Sequence, residues 1–126
     1  MKKRYKWGIL GAGKMASKFS QGLRLLENAE LYSIGSRDIQ RAREFAAENG
    51  FSRAYGSYEE FATDPAVDIV YVATPHSFHH QNTLLCLNNG KHVICEKAFS
   101  LNYNEVAEMV LAAKEKRLFL MEALWP

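Results

Sequence analysis

The chain has 126 residues, 48% of them hydrophobic and 24% charged, which suits one globular domain with a real core and excludes a disordered or fibrous protein. Sixteen basic and fourteen acidic residues leave a formal net charge of +2, too balanced for a nucleic-acid partner. No apolar run reaches the length of about 20 residues that spans a bilayer, and the apolar stretch behind Lys2, Lys3, Arg4 and Lys6 is broken by Gly11, Gly13 and Lys14 before it resembles a secretory signal, so a cytoplasmic protein is expected.

Residues 7–10 read as a short apolar strand running into Gly11-Ala12-Gly13-Lys14-Met15-Ala16, a G-x-G-x-x-A pattern with a helix directly behind it. Gly11 suits a tight turn off the strand, Gly13 lets a pyrophosphate approach the backbone, and small Ala16 lets the helix lie close on a sheet. The helix start at Lys14 and Met15 offers free N–H groups and the positive end of the dipole to phosphate. Met15, Phe19, Leu23 and Leu26 fall on one helical face. Residues 31–35 read as a second strand, followed by a helix capped by Asp38, lined inside by Ile39, Ala42, Phe45 and Ala46, and stopped at Gly50.

Residues 53–55 make a short third strand, and Ser57 with Glu60 has capping-box spacing for a brief helix ending near Asp64-Pro65. Residues 68–73 are almost continuously apolar, as in a strand buried on both faces of a parallel sheet. A helix over about 77–89 ends at Gly90, and residues 92–95 form a fifth strand. Asn102 is placed to cap a last helix with Val106, Met109, Val110 and Ala113 on its inner face, and residues 118–121 form a sixth strand. The alternation predicts an α/β doubly wound parallel sheet, a Rossmann dinucleotide-binding fold of order 3-2-1-4-5-6 over residues 1–126. Cys86 and Cys95 lie in apolar patterns and are expected to be buried free thiols, and Phe19, Phe45, Phe61, Phe78 and Phe99 to be packing residues.

Three features fall at the carboxyl ends of three predicted strands: Gly11 to Gly13, Thr74-Pro75-His76, and Glu96-Lys97. In an open parallel sheet those ends share one edge, where ligands bind at the switch in strand order. With Gly8-Ile9-Leu10-Gly11-Ala12-Gly13, Ser36-Arg37, Ala73-Thr74-Pro75 with His79, and Gly90-Lys91-His92-Val93-Ile94-Cys95-Glu96-Lys97, the chain resembles the N-terminal domain of the glucose-fructose oxidoreductase, inositol dehydrogenase and rhizopine-catabolism (Gfo/Idh/MocA) family over essentially its whole length. Glu122-Ala123-Leu124-Trp125 resembles the branch holding dimeric dihydrodiol dehydrogenase and xylose dehydrogenase.

The resemblance implies that Lys97 is a catalytic lysine bonding a substrate oxygen beside nicotinamide, in a motif that here reads Glu96-Lys97-Ala98 where the family has proline third. It also implies that Pro75 and His76 floor the nicotinamide end and that His79 borders the substrate. At the end of the second strand Ser36, Arg37 and Arg41 stand where an NAD-selecting carboxylate is usual. A hydroxyl and two guanidinium groups suit a ribose 2′-phosphate, so NADP is expected over NAD, with Asp38 occupied as a helix cap and Arg43 on a solvated face. The expected cofactor set is therefore Gly11, Gly13, Lys14, Met15, Ser36, Arg37, Arg41, Thr74, Pro75, His76, His79, Glu96 and Lys97. Lys97 and Trp125 face the substrate. His76, His79 and His80 lack a third ligand at suitable spacing, so no metal is expected, and His80 and His92 read as structural.

The function expected from this set is hydride transfer between nicotinamide and a hydroxyl-bearing carbon of a sugar, polyol or cyclic diol. A C-terminal substrate and dimerisation domain is expected beyond Leu124-Trp125-Pro126, so this chain alone should bind cofactor without appreciable turnover, and the whole protein should be a homo-oligomer. The alternative is a non-catalytic NAD(P)-sensing module, against which Lys97 argues, since a sensor has no use for a proton donor. A stand-alone nucleotide-binding protein is a third reading, for which a large apolar Trp125 at a bare end is awkward.

Overall fold

A computed structural model describes residues 4–97 and 103–123. Its strands are β1 (Tyr5–Leu10), β2 (Ala29–Gly35), β3 (Arg53–Tyr55), β4 (Ile69–Val72), β5 (His92–Glu96) and β6 (Leu120–Ala123). Its helices are α1 (Lys14–Leu23), α2 (Ile39–Asn49), α3 (Tyr58–Ala62), α4 (His79–Asn88) and α5 (Tyr103–Glu115). All six strands run parallel in one sheet of order β3-β2-β1-β4-β5-β6, the predicted doubly wound arrangement.

The register explains why the strand ends converge. Leu10 pairs with Gly35 on one side and Val72 on the other, and Val72 pairs with Cys95. The chain therefore leaves β1, β2, β4 and β5 at one level, along one edge of the sheet. The reversal of strand order lies between β1 and β4, where a crevice opens outside that edge.

Two apolar layers hold the sheet from either side. Ile9, Ile34 and Tyr71 face α1 and α2, with Ala16, Phe45 and Phe51 closing over them, and Phe19 stacks on Tyr71 with ring centroids 4.0 Å apart. Leu10, Val70, Val72, Val93 and Cys95 face the other way, under Phe61, Cys86, Leu87 and Ala113 from α3, α4 and α5. The alternation of neighbours such as Ile9 and Leu10 between layers is the two-residue strand period at work. Phe61 lies over two glycines, since a Cβ on Gly8 would stand 2.5 Å from its ring and one on Gly35 2.9 Å from its side chain.

The helix ends follow the chemistry read from the sequence. Asp38 Oδ1 accepts from the N–H groups of Gln40 at 2.9 Å and Arg41 at 3.4 Å, Ser57 Oγ accepts from Glu60 N–H at 3.2 Å, and Gly50 ends α2 in the left-handed region at φ +78°.

β1 and β2 each begin two residues ahead of the expected start, at Tyr5 and Ala29, and three further boundaries differ from expectation. α1 stops at Leu23, and Leu26, placed on its inner face by spacing, is 51% exposed in the turn beyond it. His76–Phe78 is a tight 3-10 turn ahead of α4, closed by Phe78 N–H donating to Pro75 O at 2.8 Å. β6 begins two residues late because Arg117 adopts φ +56° and Leu118 N–H turns back to Ala113 O at 2.9 Å, so Leu118 closes α5 rather than opening a strand. Asn102, Phe99, Ala98 and the Leu124-Trp125-Pro126 end, together with their expected roles, lie outside the described residues. Among the described residues no helix is long and apolar enough to cross a membrane.

Candidate functional site

At the carboxyl edge between β1 and β4 lies a cleft of about 420 Å³, lined by Gly11, Ala12, Gly13, Ser36, Arg37, Asp38, Arg41, Tyr58, Ala73, Thr74 and Pro75. Seven of the expected cofactor residues thus come together: Gly11, Gly13, Ser36, Arg37, Arg41, Thr74 and Pro75. Lys14 and Met15 open α1 behind Gly13, with Lys14 exposed and Met15 half-buried.

The two glycines serve different ends. Gly11 has φ +100°, and a Cβ there would meet the Ala73 carbonyl oxygen at 2.6 Å and Thr74 N at 2.9 Å, so this residue lets β1 turn against β4. Gly13 has an ordinary φ of −99° and nothing within 4 Å of its Cβ position, so its missing side chain leaves open space in the cleft. Gly13 also starts α1 with no side-chain cap and no acidic residue in the first turn, whereas Asp38 and Ser57 cap α2 and α3. The first N–H groups of α1 therefore keep their capacity for an anion at the glycine turn.

The opposite wall is cationic. Arg41 reaches from α2 across to the glycine turn, donating from Nη2 to Ala12 O at 3.4 Å. The Arg37 guanidinium lies 4.8 Å above the Phe78 ring centroid and lines the cleft beside Tyr58. Burial raises the Tyr58 pKa, and the positive charge of Arg37 opposes the rise. Ser36 is buried at the base of this wall, its Oγ accepting from Asp38 N–H at 3.3 Å. The Asp38 carboxylate is held by the start of α2, the capping role expected of it.

The third wall is braced from behind. His79 is 2% exposed, and its Nε2 lies 2.8 Å from Thr74 O; a carbonyl only accepts, so Nε2 carries the proton. Asn82 Nδ2 donates to Thr74 Oγ1 at 2.8 Å. Both belong to α4, so that helix fixes the turn that the cleft presents. This corrects the expectation that His79 borders substrate or cofactor: it is buried under the turn and acts on position. His76 opens the 3-10 turn directly after Pro75.

Glu96 and Lys97 stand at the same edge beside this cleft, not among its lining residues. The Tyr71 hydroxyl donates to the Glu96 carboxylate, which holds the end of β5 against β4, and Lys97 follows as an exposed residue. His80 and His92 are structural: His80 Nε2 meets Glu108 at 2.7 Å, joining α4 to α5, and His92 Nδ1 accepts from Phe119 N–H at 2.9 Å. Trp125, expected at the substrate, lies outside the described residues.

Sequence reasoning missed Tyr58, Phe78 and Asn82. Tyr58 carried one usable signal, its place directly after the Ser57 cap, which puts it on the first turn of α3 beside the cleft. Phe78 was read as packing, yet its ring carries the Arg37 guanidinium.

The family model described as an oxidoreductase family with an NAD-binding Rossmann fold matches residues 5–124. The pig trans-1,2-dihydrobenzene-1,2-diol dehydrogenase is 48% identical over 122 residues, a match that takes in 95% of this chain and 36% of that protein. An NAD-binding oxidoreductase from Klebsiella pneumoniae superposes with a TM-score of 0.90 at 30% identity, over 95% of this chain and 34% of that one. A 3-ketoreductase from Actinomadura kijaniata, solved with TDP-benzene and NADP, superposes with a TM-score of 0.91 at 27% identity, over 96% of this chain and 38% of that one. The chain thus spans about a third of the length of the relatives it matches.

Proposed function

The chain belongs to the Gfo/Idh/MocA family of oxidoreductases with an NAD-binding Rossmann fold, on the dihydrodiol dehydrogenase-like branch, and from that premise we propose that it is the cofactor domain of an NADP-dependent dehydrogenase. The substrate is a hydroxyl-bearing carbon of a diol, polyol or sugar. The observation that carries the cofactor reading is the pair Arg37 and Arg41 with Ser36 on one wall of the cleft, where Asp38 Oδ1 is engaged in capping α2.

The residues present fit a dinucleotide. The uncapped start of α1 and the open space at Gly13 would receive the pyrophosphate, and Ser36, Arg37 and Arg41 would hold the adenosine 2′-phosphate by charge-assisted hydrogen bonds. Thr74 and Pro75, braced by His79 and Asn82, would supply the wall that holds the nicotinamide end. Bound nicotinamide supplies a carbon that takes or gives a hydride.

Lys97 follows β5 at the level where the chain leaves β4; its ammonium donates a hydrogen bond to the substrate oxygen and gives up a proton to it when a carbonyl is reduced, and its neutral amine takes the hydroxyl proton when an alcohol is oxidised. The hydrogen bond from Tyr71 to Glu96 fixes the strand end from which Lys97 projects. The remaining substrate contacts belong to a second domain of the whole protein, so this chain alone binds cofactor without turnover. The reading carries with it a cytoplasmic, homo-oligomeric whole protein with small-molecule partners only.

Titration of the protein with NADPH and NADH tests the cofactor claim. Arg37→Ala and Arg41→Ala are each expected to weaken NADPH by about tenfold to a hundredfold, the span for losing a hydrogen bond to a charged group, and to leave NADH nearly unchanged. Equal affinities of the unaltered protein for the two cofactors would overturn it.

A further inference from the structure

Arg37 and Tyr58 line two clefts at once. Beyond the dinucleotide cleft lies a second hollow of about 440 Å³ between the start of α3 and the flank of α4, with Arg37, Tyr58, Phe78 and Gln81 among its walls. Arg37 and Tyr58 are therefore the partition between the two spaces. On one side the guanidinium rests on the Phe78 face at 4.8 Å, and on the other it lies beside Tyr58.

We propose that Tyr58 and Phe78 are positioning residues that clamp the Arg37 guanidinium in the dinucleotide cleft before any ligand arrives, and so set the preference for a 2′-phosphorylated adenosine over the unphosphorylated form. The inference rests on the reading of Arg37 as a 2′-phosphate ligand.

A free arginine samples many rotamers, and holding it for one phosphate costs conformational entropy that weakens binding. Here the contact with the Phe78 face and the wall formed by Tyr58 already remove much of that freedom, while the planar fork keeps its five N–H donors to offer. The clamp is built from the fold. Ser57 caps α3, which fixes Tyr58 on its first turn. Gly56 lets the turn between β3 and α3 close on the start of α2, since a Cβ there would stand 2.8 Å from Ile39 Cβ and 3.2 Å from its Cα. Phe78 is placed by the 3-10 turn closed on Pro75. Three separate connections thus converge on one guanidinium.

Calorimetric titration with 2′,5′-ADP and with ADP tests the clamp in the unaltered protein, Tyr58→Phe, Phe78→Leu, Arg37→Ala, and each clamp variant combined with Arg37→Ala. Tyr58→Phe and Phe78→Leu are each expected to weaken 2′,5′-ADP roughly threefold to tenfold and leave ADP unchanged. In the Arg37→Ala background the same changes are expected to add nothing, because their effect runs through Arg37. Gly56→Ala, which leaves all three side chains in place, should lower the same ratio by prying α3 from α2. If Arg37→Ala lowers 2′,5′-ADP affinity but Tyr58→Phe and Phe78→Leu do not, the clamp is wrong and the phosphate reading stands. If Arg37→Ala itself leaves 2′,5′-ADP affinity intact, the phosphate reading fails and the clamp with it. Equal weakening of both nucleotides in the clamp variants would reduce Tyr58 and Phe78 to general supports of the cleft and overturn the proposal.

Discussion

Gly11 and Gly13 sit two residues apart in one motif, and alanine at each should fail in a different way. At Gly11 the new Cβ would stand 2.6 Å and 2.7 Å from the Ala73 carbonyl atoms and 2.9 Å from Thr74 N, all backbone atoms held by the pairing of β1 with β4. Overpacking against groups that cannot swing away costs about 1–3 kcal/mol, and the φ of +100° adds strain of about 1–2 kcal/mol for a residue with a side chain. A loss of about 2–5 kcal/mol is a large share of the roughly 5–15 kcal/mol that holds a domain together, and at about 4 °C per kcal/mol it lowers Tm by about 8–20 °C. At Gly13 the Cβ meets nothing within 4 Å and φ is ordinary, so Gly13→Ala should leave stability within about 0.5 kcal/mol. On the proposed reading that Cβ would fill the space that receives pyrophosphate, so NADPH affinity should fall by about tenfold or more, equivalent to about 1.4 kcal/mol. Urea unfolding and NADPH titration of the two variants separate the effects. A Gly11→Ala protein as stable as the unaltered one, or a Gly13→Ala protein that binds NADPH as well, would refute the division of labour.

In the complete enzyme Lys97→Met is expected to abolish most turnover while NADPH affinity stays within a few-fold, measured by steady-state kinetics and cofactor titration; unchanged turnover would remove Lys97 from the chemistry. Phe61→Ala, emptying a fully buried ring site over Gly8 and Gly35, should cost about 3–5 kcal/mol in urea unfolding. Stability should also fall in alkali. Burial pushes the Cys86 and Cys95 thiols up to about 12, from an ordinary 9.0, so the folded chain keeps protons that the unfolded chain releases; this contribution is complete below pH 9.0 and is lost as pH rises towards 12. Buried Lys91, whose pKa burial lowers from 10.5, acts in the opposite sense, because the unfolded chain then holds the proton longer. Replacing both cysteines by alanine should therefore make the alkaline fall of the urea midpoint shallower, leaving the part due to Tyr55, whose hydroxyl is raised by burial to about 12, and an unchanged slope would remove the thiols from the account.

The parts of the fold that announce themselves in sequence are those fixed by local chemistry. The glycine turn after β1, the caps at Asp38 and Ser57, and the stop at Gly50 each depend on one residue's own geometry, and each sits where spacing put it. The short run of β4 was legible because full burial on both faces leaves no polar alternation to confuse it. What escaped depends on partners distant in the chain. His79 looks like a ligand by residue type, and only the packing of α4 under the Thr74 turn shows it facing inward. Leu26 obeys the helical period but is left half exposed, at the rim of a hollow with Tyr5 and Trp7, once α1 ends. Arg37 was legible as a cation at a strand end, whereas its seat on Phe78 and Tyr58 joins residues 41 and 21 positions away, a relation no periodicity encodes.

The central claim is that a dinucleotide occupies the cleft between the glycine turn and the Arg37 and Arg41 wall. Amide chemical shifts of the isotopically labelled protein, followed during titration with NADPH, test it most directly. Saturable changes concentrated at residues 11–16, 36–41 and 73–74 are the predicted result. Changes centred instead on the separate hollow beside Tyr32, Tyr55 and Asp64, or no saturable change at all, would contradict it.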